Sequence, residues 1–237
     1  RLAKHVQTEG SDVLILPEMP FYPWPAWTDD VDLAIWEKSV KAHDKWVQRL
    51  PELSVANVLG TRPTTMMGQR KNEGFVWHSG AGYRPVHTKY YLPDEEGFRE
   101  TAWYERGPHE FIPAHVGNAM VGFLICTELW FMEHARSYGQ DGVHLLACPR
   151  ATPAPSKDKW LAGGRTAAVV SGAFCLSSNF GGTDRNGLCW AGNGWIIEPE
   201  EGRVMAVTSP SEPFITIDID LRLAENAKQT YPRYVQE

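Results

Sequence analysis

What this chain lacks removes several classes of protein. No apolar run approaches the ~20 residues that a membrane-crossing helix needs, and no signal peptide opens the chain, so a soluble, cytoplasmic protein with no membrane partner is expected. Basic stripes are missing too: 23 Lys and Arg are scattered among 29 Asp and Glu for a net charge of -6. That balance argues against binding a phosphate backbone, and nucleic acid is discarded as a partner. The four cysteines show no Cys-x-x-Cys spacing, and the eight histidines include no His-x-x-x-His pair beside a glutamate. Neither a zinc site nor a metallohydrolase ligand set is therefore expected, and neither is any other cofactor. Repeats, linkers and low-complexity tracts are absent as well. With 237 residues, 43% of them hydrophobic and 22% charged, the chain suits one globular domain with free thiols and a substantial core.

What is present reads as mixed α/β. Residues 12–17, 54–60, 75–78, 86–92, 110–116 and 119–125 are β-prone, and Gly117-Asn118 is a two-residue hairpin signal. Leu33, Trp36, Val40, His43, Val47 and Leu50 recur at helical spacing, with Thr28 as the expected N-cap and Pro51 as the stop. From residue 119 onward strand, helix, strand, helix and strand alternate through Phe174 to Ser178. A hairpin over Trp195–Ile197 and Val204–Val207, a last strand Phe214 to Ile219, and a polar helix and tail from Leu221 to Glu237 complete the expectation.

Three positions carry chemistry. Cys126 ends the apolar run Val121-Gly122-Phe123-Leu124-Ile125 and is followed at once by what reads as the start of a helix. A strand-to-helix turn lifts a side chain clear of the sheet and aims helix N–H groups at it, which favours a thiolate nucleophile. Glu18 ends the strand Asp12-Val13-Leu14-Ile15-Leu16-Pro17, and Lys89 is embedded in the β-prone His87-Thr88-Lys89-Tyr90-Tyr91-Leu92. His87, two residues before Lys89, is expected to be structural or substrate-adjacent.

Glu, then Lys, then Cys on successive strand-like segments resembles the nitrilase superfamily of carbon–nitrogen hydrolases. The resemblance continues through Phe98-Arg99-Glu100-Thr101-Ala102-Trp103-Tyr104-Glu105-Arg106-Gly107, Glu128, Glu133-His134-Ala135-Arg136, Gly142 to Pro149, Arg165-Thr166-Ala167-Ala168, Ser178-Asn179 and Gly192 to Pro199. It implies a four-layer αββα sandwich over residues 1–237, lacking the first strand and most of the first helix of such a domain, and working as a homodimer or higher homo-oligomer. It also implies catalytic roles for Glu18, Lys89, Cys126 and the second glutamate, Glu100.

The implied reaction is hydrolysis of an amide or N-carbamoyl compound to an acid and ammonia or an amine, through a thioester on Cys126. A nitrile substrate is the alternative, weakened by Thr127, because true nitrilases of the superfamily usually carry Trp after the nucleophile. A catalytically idle binding or scaffold subunit is the reading from another class, and the intact set of four argues against it. Ten tryptophans are far more than ordinary usage, and Trp24, Trp27, Trp103, Trp130, Trp190 and Trp195 flank the expected site. They line an aromatic acyl pocket or pack a core or dimer interface. Expected substrate contacts are Trp24, Trp103, Glu128, Trp130 and Arg150. Arg150 is the nearest basic candidate for a substrate carboxylate, since Thr127, Leu129 and Trp130 fill the stretch beside Cys126.

Overall fold

The structure, a computed structural model, describes residues 1–235. They fall into two compact units, Arg1–Glu110 and a second that begins at Phe111. The first opens with helix α1 (Leu2–Glu9), which Gly10 ends in the left-handed conformation at φ 64°, where a residue without Cβ is least strained. Strand β1 (Val13–Ile15), helix α2 (Leu33–Val47) and strands β2 (Asn57–Met66), β3 (Gln69–His78) and β4 (Gly82–Thr88) follow. The short ribbon β5 (Asp94–Glu95) and β6 (Phe98–Arg99) leads into the single-turn helix α3 (Glu100–Trp103).

The sheet order is β1-β2-β3-β4, with β1 parallel to β2 and the remaining pairs antiparallel. Strands β2 and β3 run several residues beyond the expected 54–60 and 75–78. Met67 and Gly68, at φ 50° and 78°, make the tight two-residue turn that pairs them over their full length. Leu16, Val55, Val58, Phe75 and Trp77 form the core of this unit.

Helix α2 buries Trp36, Ser39 and His43. Two expectations about it are corrected. Its N-cap is Asp32, whose carboxylate accepts the N–H groups of Ala34 and Ile35, while the Thr28 hydroxyl bonds to the Asp30 carbonyl. Leu33, expected on the buried face, is 57% exposed. Starting the helix at Leu33 leaves its first residue outside the packed stripe, and the residues around Pro51 form a separate 3-10 turn, Leu50–Leu53.

The second unit carries a six-stranded sheet in the order β14-β13-β10-β9-β8-β7. Its strands are β7 (Ala114–Val116), β8 (Ala119–Phe123), β9 (Leu145–Arg150), β10 (Phe174–Asn179), β13 (Trp195–Ile197) and β14 (Val204–Val207), and β11 (Gly181–Thr183) and β12 (Cys189–Ala191) form a separate ribbon. The parallel strands β8, β9 and β10 are linked by α4 (Met132–Gln140) and α5 (Lys157–Ser171), the alternation that the sequence led one to expect. Leu124, Ile125, Leu129, Leu146, Trp160 and Trp195 lie in one buried cluster.

Phe214–Ile219 is not a strand of either sheet, contrary to expectation. Its apolar residues are only half-buried, so the alternation reports partial burial and not a ladder. Helix α6 (Leu221–Ala227) opens the expected polar helix and tail, whose last residues, Gln236 and Glu237, lie outside the described residues.

The approach of α4 to the end of α5 depends on one glycine. A Cβ on Gly139 would lie 2.3 Å from the Ser171 carbonyl oxygen. Helix propensity alone makes Gly139→Ala stabilising by up to ~1 kcal/mol. Backbone overlap predicts the opposite sign, a loss of roughly 1–3 kcal/mol, read from the urea denaturation midpoint. A variant at least as stable as the parent would show that the helices part without cost.

Candidate active site

In the first unit, Glu18, Lys89 and Glu100 arrive from three separate segments. Leu16 continues the β1–β2 pairing through its N–H to the Leu59 carbonyl, Pro17 ends it, and Met19 turns sharply at φ 43° with its N–H on the Thr61 hydroxyl. Glu18 is thereby turned inward and is fully buried. Lys89 is one residue past β4, and its N–H donates to the Asn72 carbonyl at 2.9 Å. Gly107 donates to the Lys89 carbonyl, and a Cβ there would come within 2.3 Å of the Thr88 oxygen, which accounts for glycine at the end of that stretch. Glu100 begins α3, its N–H bonded to the Pro93 carbonyl.

The Lys89 ammonium lies 2.8 Å from Glu18 Oε1, 2.9 Å from Glu100 Oε1 and 2.7 Å from Glu100 Oε2. All three side chains are at most 1% exposed. Asn72 Nδ2 donates to the same Glu18 Oε1 at 2.8 Å, and Glu18 Oε2 is buried with no hydrogen-bond partner among the described residues. Burial pushes the Glu100 carboxyl up from 4.5 to about 7, against the pull of the Lys89 charge and with a further push from Glu18. The wholly buried Tyr104 phenol stands beside Glu100 and Asn72 without closing a bond of normal geometry to either. Burial, and then the Glu100 and Glu18 charges, keep it protonated.

The loop after Glu18 is fixed by aromatic side chains. Trp24 Nε1 donates to the Gly97 carbonyl at 3.1 Å, and Trp103 Nε1 to the Thr28 carbonyl at 2.6 Å. His43 contacts the Ser39 carbonyl through Nδ1 and receives the Phe21 N–H at Nε2. Burial lowers its pKa to about 4, so the imidazole is neutral at neutral pH. Trp24 and Trp103 are both buried and tie the loop to the β5–β6 region.

In the second unit, Cys126 opens a 3-10 turn, Cys126–Trp130, ahead of α4, where a regular helix start was expected. The turn is built by Glu128. Its Oε2 accepts the Ile125 N–H at 2.8 Å, and its own N–H donates to the Ile125 carbonyl. Cys126 itself has φ 49°, a conformation costly for a residue with a side chain and concentrated at functional sites. Trp130 is 37% exposed, packs its ring 5.0 Å from Trp160, and would clash with a Cβ on Gly163.

Arg150 is buried at the end of β9. Its Nε donates to Ser177 Oγ, its Nη1 to Thr152 Oγ1 and its Nη2 to the Asn193 carbonyl, and its guanidinium lies 3.8 Å from the Trp195 ring centre. Of the residues singled out in the sequence, Glu18, Lys89 and Glu100 meet in one cluster, Trp24 and Trp103 brace that unit, and Cys126, Glu128, Trp130 and Arg150 belong to the other. Sequence reasoning missed Asn72 and Tyr104. Asn72 lies outside the strand expected at 75–78, so no local signal marked it; only the full length of β3 puts an amide in mid-strand, where asparagine is depleted.

A model of the carbon–nitrogen hydrolase family matches residues 1–229 of this chain. Among curated proteins, human omega-amidase is 25% identical over 99% of the chain and 86% of its own length. The glutamine-dependent NAD(+) synthetase of Thermotoga maritima is 25% identical over 91% of the chain, which spans only 37% of that protein. Among solved structures, a carbon–nitrogen hydrolase from Helicobacter pylori G27 superposes with a TM-score of 0.87 at 18% identity, covering 98% of this chain and 85% of that one. A variant of the amidase from Nesterenkonia sp. AN1, with acrylamide added at its active-site cysteine, superposes at 0.72 with 17% identity, covering 88% and 80%. These likenesses show the fold, and it is the α/β fold that the sequence resemblance implied.

The raised Glu100 carboxyl has a consequence for stability. A group that binds its proton more tightly when folded favours the folded state at low pH, and that contribution is lost as pH rises from 4.5 to about 7. Glu100→Gln keeps the shape and removes the titration. The difference in unfolding free energy between parent and variant is expected to change across that window and to level off above it. A difference that stays constant from pH 4 to 8 would contradict the assignment.

Proposed function

The chain belongs to the carbon–nitrogen hydrolase family, and we propose that it is a thiol-dependent hydrolase of non-peptide C–N bonds, converting an amide or N-carbamoyl compound to an acid and ammonia or an amine. The observation that carries this reading is the buried lysine held by two carboxylates: each has an Oε2 without a hydrogen bond, but that of Glu100 lies 2.7 Å from the ammonium, and the Lys89 contact of Glu18 is made by Oε1. Such a group supplies both a base and fixed positive charge, the two things a neutral thiol needs in order to attack an unactivated carbonyl.

Cys126 Sγ attacks the carbonyl carbon while its proton passes to Glu18 Oε2. The tetrahedral oxyanion forms under the field of the Lys89 ammonium. Glu18 returns the proton to nitrogen, the C–N bond breaks, and an amine or ammonia leaves a thioester. Water then attacks the thioester, giving its proton to Glu18, and the acid departs as Sγ recovers a proton. Glu100 positions Lys89 and the substrate. Trp130, with an exposed face, is the side chain assigned to the acyl group, whereas Trp24, Trp103 and Glu128 act through the backbone they hold and Arg150, expected on a substrate carboxylate, is buried with its nitrogens committed to Ser177, Thr152 and Asn193. The enzyme needs no cofactor and works as a homo-oligomer on small molecules in the cytoplasm. Among the described residues no helix is long and apolar enough to cross a membrane.

Measuring ammonia release from short amides, N-carbamoyl compounds and nitriles tests the reading. Cys126→Ala should lower turnover by roughly three orders of magnitude or more at equal folded fraction. Retention of a few percent of the activity would place the nucleophile elsewhere. By intact mass, Glu18→Gln should form no substrate adduct and Glu100→Gln should accumulate one; the opposite pattern would reverse their roles.

Iodoacetamide separates an enzyme from an idle subunit. Cys189 is exposed and Cys126 is only 5% exposed, so passive access favours Cys189. A poised thiolate reverses that order, and alkylation at Cys189 ahead of Cys126 would favour the idle subunit.

A further inference from the structure

We propose that Asn72 is a positioning residue that commits Glu18 Oε1 to hydrogen bonding and so leaves Oε2 as the oxygen that takes and returns the proton. The kinetic consequence rests on the hydrolase reading above; the geometric one does not.

Asn72 is wholly buried in the middle of β3, opposite Pro63 of β2. A primary amide there costs desolvation unless its donors are used. The strand does not need it, because the backbone carbonyl of Asn72 accepts the Lys89 N–H whatever the side chain is. The side chain reaches a carboxylate 54 positions earlier in sequence, donating from Nδ2 to Glu18 Oε1 at 2.8 Å. Lys89 Nζ donates to the same oxygen, also at 2.8 Å.

One Glu18 oxygen therefore has both donors, while Oε2 has none among the described residues. Lys89 by itself would let the carboxylate pivot and share the ammonium between its two oxygens. The second donor removes that freedom, because exchange of the oxygens then breaks two hydrogen bonds at once. The Tyr104 phenol stands beside both Asn72 and Glu100, and neither its hydroxyl nor Asn72 Oδ1 has a hydrogen bond among the described residues, so the amide's one bond is the one to Glu18. A base is useful when its acceptor oxygen is fixed and unoccupied, and Asn72 secures both conditions without touching the reacting atoms.

Asn72→Leu keeps the volume and removes the donor, and Asn72→Ala removes the donor with no risk of overpacking. On whichever amide or carbamoyl substrate the parent turns over, kcat should fall roughly 10- to 100-fold, the loss of one hydrogen bond to a charged group, with KM within about twofold. The acid limb of the pH–rate profile should move to higher pH, because the base has lost a donor that favours its ionised form. Crystal structures of the variants should show the Glu18 carboxylate turned toward Lys89 through both oxygens. A Glu18 that has not moved, a pH profile that has not shifted, or failure of both variants to fold would each overturn the proposal. If the parent hydrolyses none of the substrates, the hydrolase reading falls alone, and the variant crystal structures still decide the role of Asn72.

Discussion

The Lys89 ammonium, buried between Glu18 and Glu100, is the interaction that the first unit is organised to supply. An isolated ammonium at that depth would cost several kcal/mol, and so would either carboxylate; only the assembled set is tolerable. The chain meets the requirement at three terminations. The β1–β2 pairing stops at Pro17 and the chain turns Glu18 inward, β4 stops one residue before Lys89, and the β5–β6 ribbon ends where α3 begins with Glu100. Placing charged groups at element ends leaves the ladders intact and brings long side chains together where the backbone can turn. The set still carries one more negative than positive charge when both carboxylates are ionised. Burial, with a further push from the Glu18 charge, raises Glu100 to about 7 and puts a proton within reach of the cluster near neutral pH.

That arrangement explains why part of the site was legible in the sequence. Glu18, Lys89 and Cys126 each interrupt an apolar or β-prone run with a residue that such a run does not need, and local pattern reveals the anomaly. Glu100 carries no such mark and was reached only through the order of motifs around it. Asn72 and Tyr104 were missed because their meaning lies in pairings across the fold, and no local window holds both partners. The same limit applies to structure. Spacing alone found α2 but gave its cap to Thr28, since Asp32 and Thr28 are equally plausible caps until the backbone shows which carboxylate or hydroxyl faces the free N–H groups. Alternation gave Phe214–Ile219 as a strand because half-burial produces the same pattern as a ladder.

The tryptophans show a related ambiguity. An indole offers a large apolar face and a single N–H donor, and composition cannot say which of the two a site uses. Trp24 and Trp103 use the donor, each on a backbone carbonyl of a segment distant in sequence, which holds the loop after Glu18 against the region that carries Glu100. Trp195 uses its face under the Arg150 guanidinium and its donor on the Cys175 sulfur. Trp130 rests against α5 at Gly163 and leaves part of its surface open. One residue type therefore serves as brace, as cation platform and as exposed wall, and of these only the last, Trp130, has surface left to meet a ligand.

The two carboxylates around Lys89 are chemically alike and differently bound, and under the proposed hydrolase reading the difference divides their work. Both oxygens of Glu100 lie within 2.9 Å of the ammonium, so its charge is directed at the lysine. Glu18 gives the lysine only Oε1, an oxygen it also shares with Asn72, and keeps Oε2 apart. A proton carrier must release what it binds, which an oxygen already holding an ammonium does poorly and an unoccupied one does well. The backbone at Cys126 makes a matching division: Glu128 takes up the N–H of Ile125, and the left-handed turn at the next residue turns the chain where a thiol, and not a glycine, stands. Left-handed backbone at a residue with a side chain is costly and concentrates at functional sites, and at Cys126, unlike the exposed hairpin turn at Met67, it falls on a buried thiol.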